Sequence, residues 1–276
     1  MVERPASFLG DALDRLAALV GRTVVVKLGG STLGAHDTSL ADVALLQRLG
    51  VRVVVVHGGG AAISDWLKRI GLEARFVRGL RVTDTPTLEV ACMVLAGKVN
   101  KELVSQLLAL GAPAVGLSGA DGGLLRARLR DPELGFVGEV TAVHAAPLRA
   151  LLDAGFLPVV APLAVSDEGQ LLNVNADTAA GDVARGLAAE RVVFLTDVPG
   201  VVGGDGRMLP RLTPSDVQAL IASGVIHGGM IPKVEACLHA LRGVRAAQIA
   251  DGRAAHGLLR ALLAADGGGT SITAED

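Results

Sequence analysis

Tyrosine is absent from this chain, and other aromatics are few: five Phe and one Trp among 276 residues. Nucleic-acid surfaces that stack bases between basic stripes are therefore not expected, and a net charge of −2 gives no broad cationic face. The two cysteines, Cys92 and Cys237, stand far apart. They suggest neither a disulfide framework nor a thiolate metal centre, which fits a reducing compartment. No apolar run approaches the roughly eighteen residues that span a bilayer. The opening Met1-Val-Glu-Arg-Pro5 lacks the charge-then-apolar layout of a signal peptide. The expectation is a soluble cytoplasmic protein with no nucleic-acid and no membrane partner. No His-x-x-x-His or His-Glu-x-x-His spacing occurs among the six histidines, so no protein-held metal is expected. Lysine is scarce as well, five against twenty-one arginines. A lysine inside a motif is thus not background composition.

Half of the residues are apolar, ample for a large core in one large domain or two small ones. Apolar runs recur at Val24–Val26, Val51–Val56, Ala114–Leu117, Phe156–Val160, Arg191–Leu195 and Ala246–Ile249. Several are continuous rather than alternating, as in strands covered on both faces. Segments with helical spacing, such as Leu88–Leu110 and Leu148–Ala154, lie between them. This alternation predicts an α/β protein with a mostly parallel sheet and helices on both sides. Arg126–Gly138 breaks the pattern and reads as a small hairpin or loop insertion. A helix is expected over Thr178–Ala189, and Gly267-Gly-Gly269 reads as a flexible tail by composition.

The chemistry-bearing motifs fall at the ends of the apolar runs. Val24-Val-Val-Lys27-Leu-Gly29-Gly30 puts one cation and side-chain-free backbone N–H groups at the carboxyl edge of a strand, where open α/β sheets bind ligands. The bland alternative is a tight turn with a solvated lysine. His57-Gly58-Gly59-Gly60 follows the next run and lets a ligand approach the backbone and the following helix N-terminus. It is not a dinucleotide fingerprint, because Ile63 stands at the third glycine position and no acid follows about twenty residues on. No P-loop and no Gly-x-Ser-x-Gly elbow is present. Arg81, within Gly79-Leu-Arg-Val-Thr83, can offer a planar fork to a carboxylate, although most arginines are surface ion-pair formers. Asn173, Asn175 and Asp177 occupy alternate positions and would share a face of an extended segment; otherwise they form an Asx-rich helix cap. Thr196 and Asp197 end another apolar run, and Gly228-Gly229-Met230-Ile-Pro232-Lys233 sets a second lysine beside a helix start. Two lysines, two glycine turns and one central acid meet the requirements of phosphoryl transfer, which is mostly positioning and charge stabilisation.

From about Gly21 to Ile272 the ordered motifs resemble the amino-acid kinase family, and within it the acetylglutamate kinase branch. Beyond those above, they include Ala96-Gly-Lys-Val-Asn-Lys101, Gly116-Leu-Ser-Gly119 and Asp251-Gly-Arg253. The resemblance implies a three-layer αβα sandwich. It implies a helix over residues 1–22, an amino-acid-substrate lobe over 23–185 and a nucleotide-binding lobe over 186–276. The implied reaction is ATP-dependent phosphorylation of the γ-carboxylate of N-acetyl-L-glutamate in arginine biosynthesis, with Mg²⁺ held mainly by the nucleotide phosphates. Carried over by position, Lys27 and Lys233 would stabilise the transferring phosphoryl group and Asp177 would orient them. Gly59 and Gly60 would hold substrate through N–H groups, Arg81 its α-carboxylate and Asn173 its acetamido group. Gly29, Gly30, Thr196, Asp197, Gly229 and Met230 would line the nucleotide site. The nearest rivals are a sister kinase acting on another acyl acceptor, such as carrier-linked aminoadipate, and a non-catalytic amino-acid sensor on the same scaffold. A homodimer is the minimum assembly expected. The helical spacing of Phe8, Leu9, Ala12, Leu13, Leu16, Ala17 and Val20 admits either a helix folded on its own lobe or, by the resemblance, one that links dimers into a hexamer. Arg260-Ala261 and Ser271 depart from the pattern of arginine-inhibited relatives.

Overall fold

Apolar runs form the central strands, and six strands line up in parallel. The computed structural model describes residues 5–29, 38–264 and 267–274, with side chains from Gly10 onward. The chain begins with α1 (Pro5–Leu19), β1 (Thr23–Leu28), α2 (Ser39–Arg48), β2 (Arg52–His57) and α3 (Gly60–Arg69). A hairpin of β3 (Phe76–Val77) and β4 (Leu80–Arg81) leads to α4 (Thr85–Cys92), a π-helical segment (Met93–Val99), α5 (Asn100–Ala109) and β5 (Ala114–Ser118). Next come β6 (Leu125–Leu129), β7 (Gly138–Val143), α6 (Ala146–Asp153), β8 (Leu157–Ala161), β9 (Leu163–Val165), β10 (Leu171–Asn173) and α7 (Ala176–Gly186). The remainder is β11 (Arg191–Thr196), β12 (Arg211–Leu212), α8 (Pro214–Ala222), α9 (Met230–Ala240), β13 (Ala246–Asp251), α10 (Gly257–Leu263) and β14 (Gly269–Thr273).

Among the described residues, eight strands form the main sheet in the order β12-β14-β13-β11-β1-β2-β8-β5. The run from β13 to β5 is parallel, whereas β14 pairs antiparallel with β13. β1 is the centre: the chain leaves it for β2 on one side and later returns to β11 on the other. The carboxyl end of β1 is therefore a topological switch point, where such sheets open a crevice.

Side chains alternate across this sheet. Val24, Val26, Leu28, Val53 and Val55 join a core with α2, α3, α5 and α10 through Leu46, Leu67, Leu107 and Leu262. Val25, Val54, Val56 and Phe194 join the opposite core with α6, α7 and α9 through Leu148, Val183 and Val234. The result is a three-layer αβα sandwich. Each such apolar side chain taken from water contributes roughly 1.5–3 kcal/mol. Lys27 has the parity of Val25 and so points into the layer that holds α7.

Two expectations need correction. Gly267-Gly-Gly269 is not a free tail, because Gly269 opens β14 and pairs with Ala250. The helix expected over Thr178–Ala189 is α7, two residues earlier at its start and three at its end. Of the two readings of Arg126–Gly138, the hairpin is the one that forms: β6 and β7 pair antiparallel and are joined by β9 and β10 into a separate four-stranded sheet. The apolar amino-terminal stretch is the helix α1. Leu19 is buried and Leu16 packs against the same core, while Leu13 and Val20 are exposed. Phe8 and Leu9 precede the described side chains.

Candidate active site

The carboxyl edge of the sheet carries the charged groups. Lys27 Nζ, on β1, lies 2.8 Å from Asp177 Oδ1, and Lys233 Nζ, on α9, lies 3.9 Å from Asp177 Oδ2. Lys27 and Asp177 are both buried. Asp177 stands in the first turn of α7, where the helix dipole favours a negative charge. That turn is fixed by Asn175, whose side-chain oxygen accepts hydrogen bonds from the backbone N–H groups of Asp177 (2.9 Å) and Thr178 (3.1 Å).

The shared extended face expected for Asn173, Asn175 and Asp177 does not form. Only Asn173 is in a strand; Asn175 caps and Asp177 is helical. The cap diverts the chain, so Asn173 and Asn175 line a cavity while Asp177 turns to the lysines.

That cavity, of about 190 Å³, lies beside the carboxyl end of β2 and is lined by Gly59, Gly60, Arg81 and Asn173, with Phe76 and Leu95 as apolar walls. Gly59 precedes α3, and a Cβ there would meet Leu95 Cδ2 at 2.6 Å. Arg81 Nη2 donates to Gly60 O (2.7 Å) and Ser64 Oγ (2.9 Å), and its guanidinium stacks 4.8 Å from the Phe76 ring centroid. Its Nη1 is buried without a protein partner among the described residues. Burial lowers the Arg81 pKa from its ordinary value, which leaves a guanidinium in want of an anion. Asn173 Nδ2 donates to Thr83 Oγ1 at 3.1 Å.

On the far side of β1, Thr196 and Asp197 follow β11, while Gly229 caps and Met230 opens α9. The Thr196 hydroxyl folds into a local turn, accepting from Val198 N at 3.1 Å. Asp197 and Gly229 are exposed. Gly29 directly follows β1, and Gly30 lies outside the described residues.

Along the edge lie a lined cavity by β2, a lysine–aspartate–lysine cluster by β1 and the Thr196–Asp197 turn after β11. Such an order suits two anionic reactants meeting over one cationic centre. The profile of the amino acid kinase family matches residues 22–251. The chain belongs to the amino acid kinase family.

Among relatives, it is 46% identical to the acetylglutamate kinase of Granulibacter bethesdensis, over 97% of this chain and 95% of that one. It is also 46% identical to the acetylglutamate kinase of Synechococcus elongatus, covering 96% and 90%. Among solved structures, N-acetylglutamate synthase from Neisseria gonorrhoeae, complexed with coenzyme A and N-acetyl-glutamate, superposes with a TM-score of 0.86 at 30% identity. That match covers 99% of this chain but only 64% of the synthase. Carbamate kinase from Giardia lamblia shares the fold, with a TM-score of 0.64 at 18% identity over 92% of this chain and 99% of that one.

Within this amino acid kinase the partners of the motif residues were not legible from spacing. Ser64 and Thr83 hold Arg81 and Asn173, and Asn100 reaches His57 across the fold. Thr83 does sit two residues after Arg81, in the same short motif, which is the one local signal available.

Proposed function

We propose that this kinase transfers the γ-phosphoryl group of ATP to the γ-carboxylate of N-acetyl-L-glutamate, forming N-acetyl-L-glutamyl 5-phosphate in arginine biosynthesis. The observation that carries the reading is the Lys27–Asp177–Lys233 cluster at the switch point, beside the cavity that Arg81 and Asn173 line. Full-length similarity to kinases of that name supports the choice of acceptor. In these terms residues 23–185 supply the acceptor lobe and 186–276 the nucleotide lobe.

A γ-carboxylate with an ordinary pKa of about 4.3 is ionised at neutral pH, so its attack on phosphorus requires no general base. What opposes reaction is repulsion between two anions. Lys27 and Lys233 offset it by facing the phosphoryl oxygens as they move from ATP to the acceptor. Asp177 orients both ammonium groups. Arg81 Nη1 takes the α-carboxylate, Asn173 the acetamido group, and the N–H groups of Gly59 and Gly60 the acceptor end. Gly29, Thr196, Asp197, Gly229 and Met230 border the nucleotide. Asp177 is already paired with lysines, so Mg²⁺ would be held mainly by the ATP phosphates, where it shields their charge.

The assay that tests this reading is ATP-dependent hydroxamate formation with acetylglutamate, glutamate, aspartate and aminoadipate. Acetylglutamate should give the highest kcat/KM. Preference for a free amino acid overturns the assignment of Asn173.

The exposed Leu13 on α1 and Val20 just after it support an assembly role for that helix, in a dimer at minimum and a hexamer through α1 contacts. Light scattering on the full chain and on a chain starting at Gly21 tests this; equal subunit numbers remove α1 from assembly.

A further inference from the structure

Gly58, Gly59 and Gly60 have little side-chain means of holding their own conformation, yet the acceptor site depends on where their N–H groups point. His57, the residue before them, is fully buried and makes two directional contacts. Its Nδ1 lies 2.9 Å from Gly58 O, and its Nε2 lies 3.2 Å from Asn100 Nδ2. A carbonyl oxygen can only accept, so Nδ1 carries the proton; an amide NH₂ can only donate, so Nε2 bears the lone pair.

The orientation of Asn100 is set independently of His57. Its Nδ2 donates to Val159 O at 2.9 Å, and its Oδ1 accepts from Lys101 Nζ at 3.0 Å. Lys101 donates onward to Gly116 O at 3.2 Å. Gly116 completes the fit, because a Cβ there would stand 2.0 Å from Asn100 Oδ1. A chain of donors thus runs from the strand pair β5–β8, through the residue after the π-helical segment, to the glycine turn. Burial, with the nearby Lys101 charge as a lesser cause, lowers the His57 pKa to about 4, against a partial rise from its bond to Gly58, so the ring is neutral at working pH.

We propose that His57, as the neutral Nδ1–H tautomer oriented by Asn100, is a positioning residue that fixes the glycine turn for the acceptor. The inference rests on the acceptor site described above, but the ring itself touches no reactant. It differs from mere packing because it needs one particular nitrogen to donate.

Paired substitutions separate the two nitrogens. In His57→Asn the side-chain amide can reach the Nδ1 position and donate to Gly58 O. In His57→Gln the amide reaches the Nε2 position and only the Asn100 contact is kept. Both lose ring volume and one hydrogen bond, so both should lower the melting temperature to a similar extent. The Gln variant should fall roughly tenfold below the Asn variant in kcat/KM for the acceptor, the loss expected from one hydrogen bond, while KM for ATP is equal in the two. Equal activities, or the reverse order, overturn the proposal. If neither variant folds, nitrogen NMR of the native protein at pH 7 reads the ring directly. The ring proton protected from exchange should be on Nδ1; an Nε2–H or doubly protonated ring overturns the proposal. Should the native enzyme ignore acetylglutamate, the function reading fails, while the tautomer result stands or falls separately.

Discussion

Lys27 and Asp177 are joined by a 2.8 Å ion pair that ties the central strand of the sheet to the first turn of α7. Both groups are withdrawn from water, so each is stabilised mainly by the other, and Asp177 also by Lys233. Asp177→Asn leaves Lys27 buried without its counter-ion. Breaking a buried pair in this way costs about 3–5 kcal/mol. The variant should show that loss in denaturant unfolding together with a large fall in kcat. Native stability would mean that the pair does not hold the centre together.

Arg81 has one nitrogen committed to Gly60 and Ser64 and a second, Nη1, left for a ligand. Arg81→Lys cannot serve both. KM for the acyl-amino acid should rise about ten- to a hundredfold, the range for a charge-assisted hydrogen bond, with KM for ATP little changed. Asn173→Asp should act in the same direction by placing an anion near the acetamido group. A rise confined to KM for ATP would reverse the assignment of the two sides of the site.

Most of the central sheet was legible in sequence, because Val24–Val26 or Arg191–Leu195 can satisfy their burial only between two layers. The short strands were not. β9, β10 and β12 are two or three residues long and exist through tertiary pairing rather than local pattern. Gly269 in β14 shows composition misleading outright, since backbone pairing with β13 overrides its flexibility. Within the site, residue types at strand ends were readable, but direction was not. Asn175 looked like one of three groups on a shared face, and its capping of α7 is what separates Asn173 from Asp177. The π-helical turn at Met93–Val99 has no signature in propensity, although it brings Leu95 against Gly59.

Gly59 is explained by that contact. Gly59→Ala should overpack against Leu95 Cδ2 and destabilise by about 1–3 kcal/mol. Adding Leu95→Ala should cost less in this background than in the native one, giving a favourable coupling in a double-mutant cycle. Strict additivity would show that the two residues are not in competition for space.

The pH dependence of stability follows from His57. Its pKa is lowered on folding from 6.5 to about 4, so the folded state favours the neutral ring. This contribution is complete above pH 6.5 and is lost as pH falls from 6.5 towards 4, reaching about 2 kcal/mol of loss by pH 5. His57→Asn lacks the titration. The gap in unfolding free energy between native protein and variant should therefore narrow by about 2 kcal/mol between pH 7.5 and pH 5. A constant gap would mean that the ring is not held neutral.

Lys233 offers the most direct test of the central claim, that two lysines stabilise a phosphoryl group in transit to a carboxylate. Its ammonium is partly exposed and 3.9 Å from Asp177, so removing it disturbs the fold far less than removing Lys27. The measurement is single-turnover transfer from ATP to acetylglutamate by Lys233→Ala. The rate should fall about 10²–10³-fold below native with the melting temperature little changed. A near-native rate would contradict the claim.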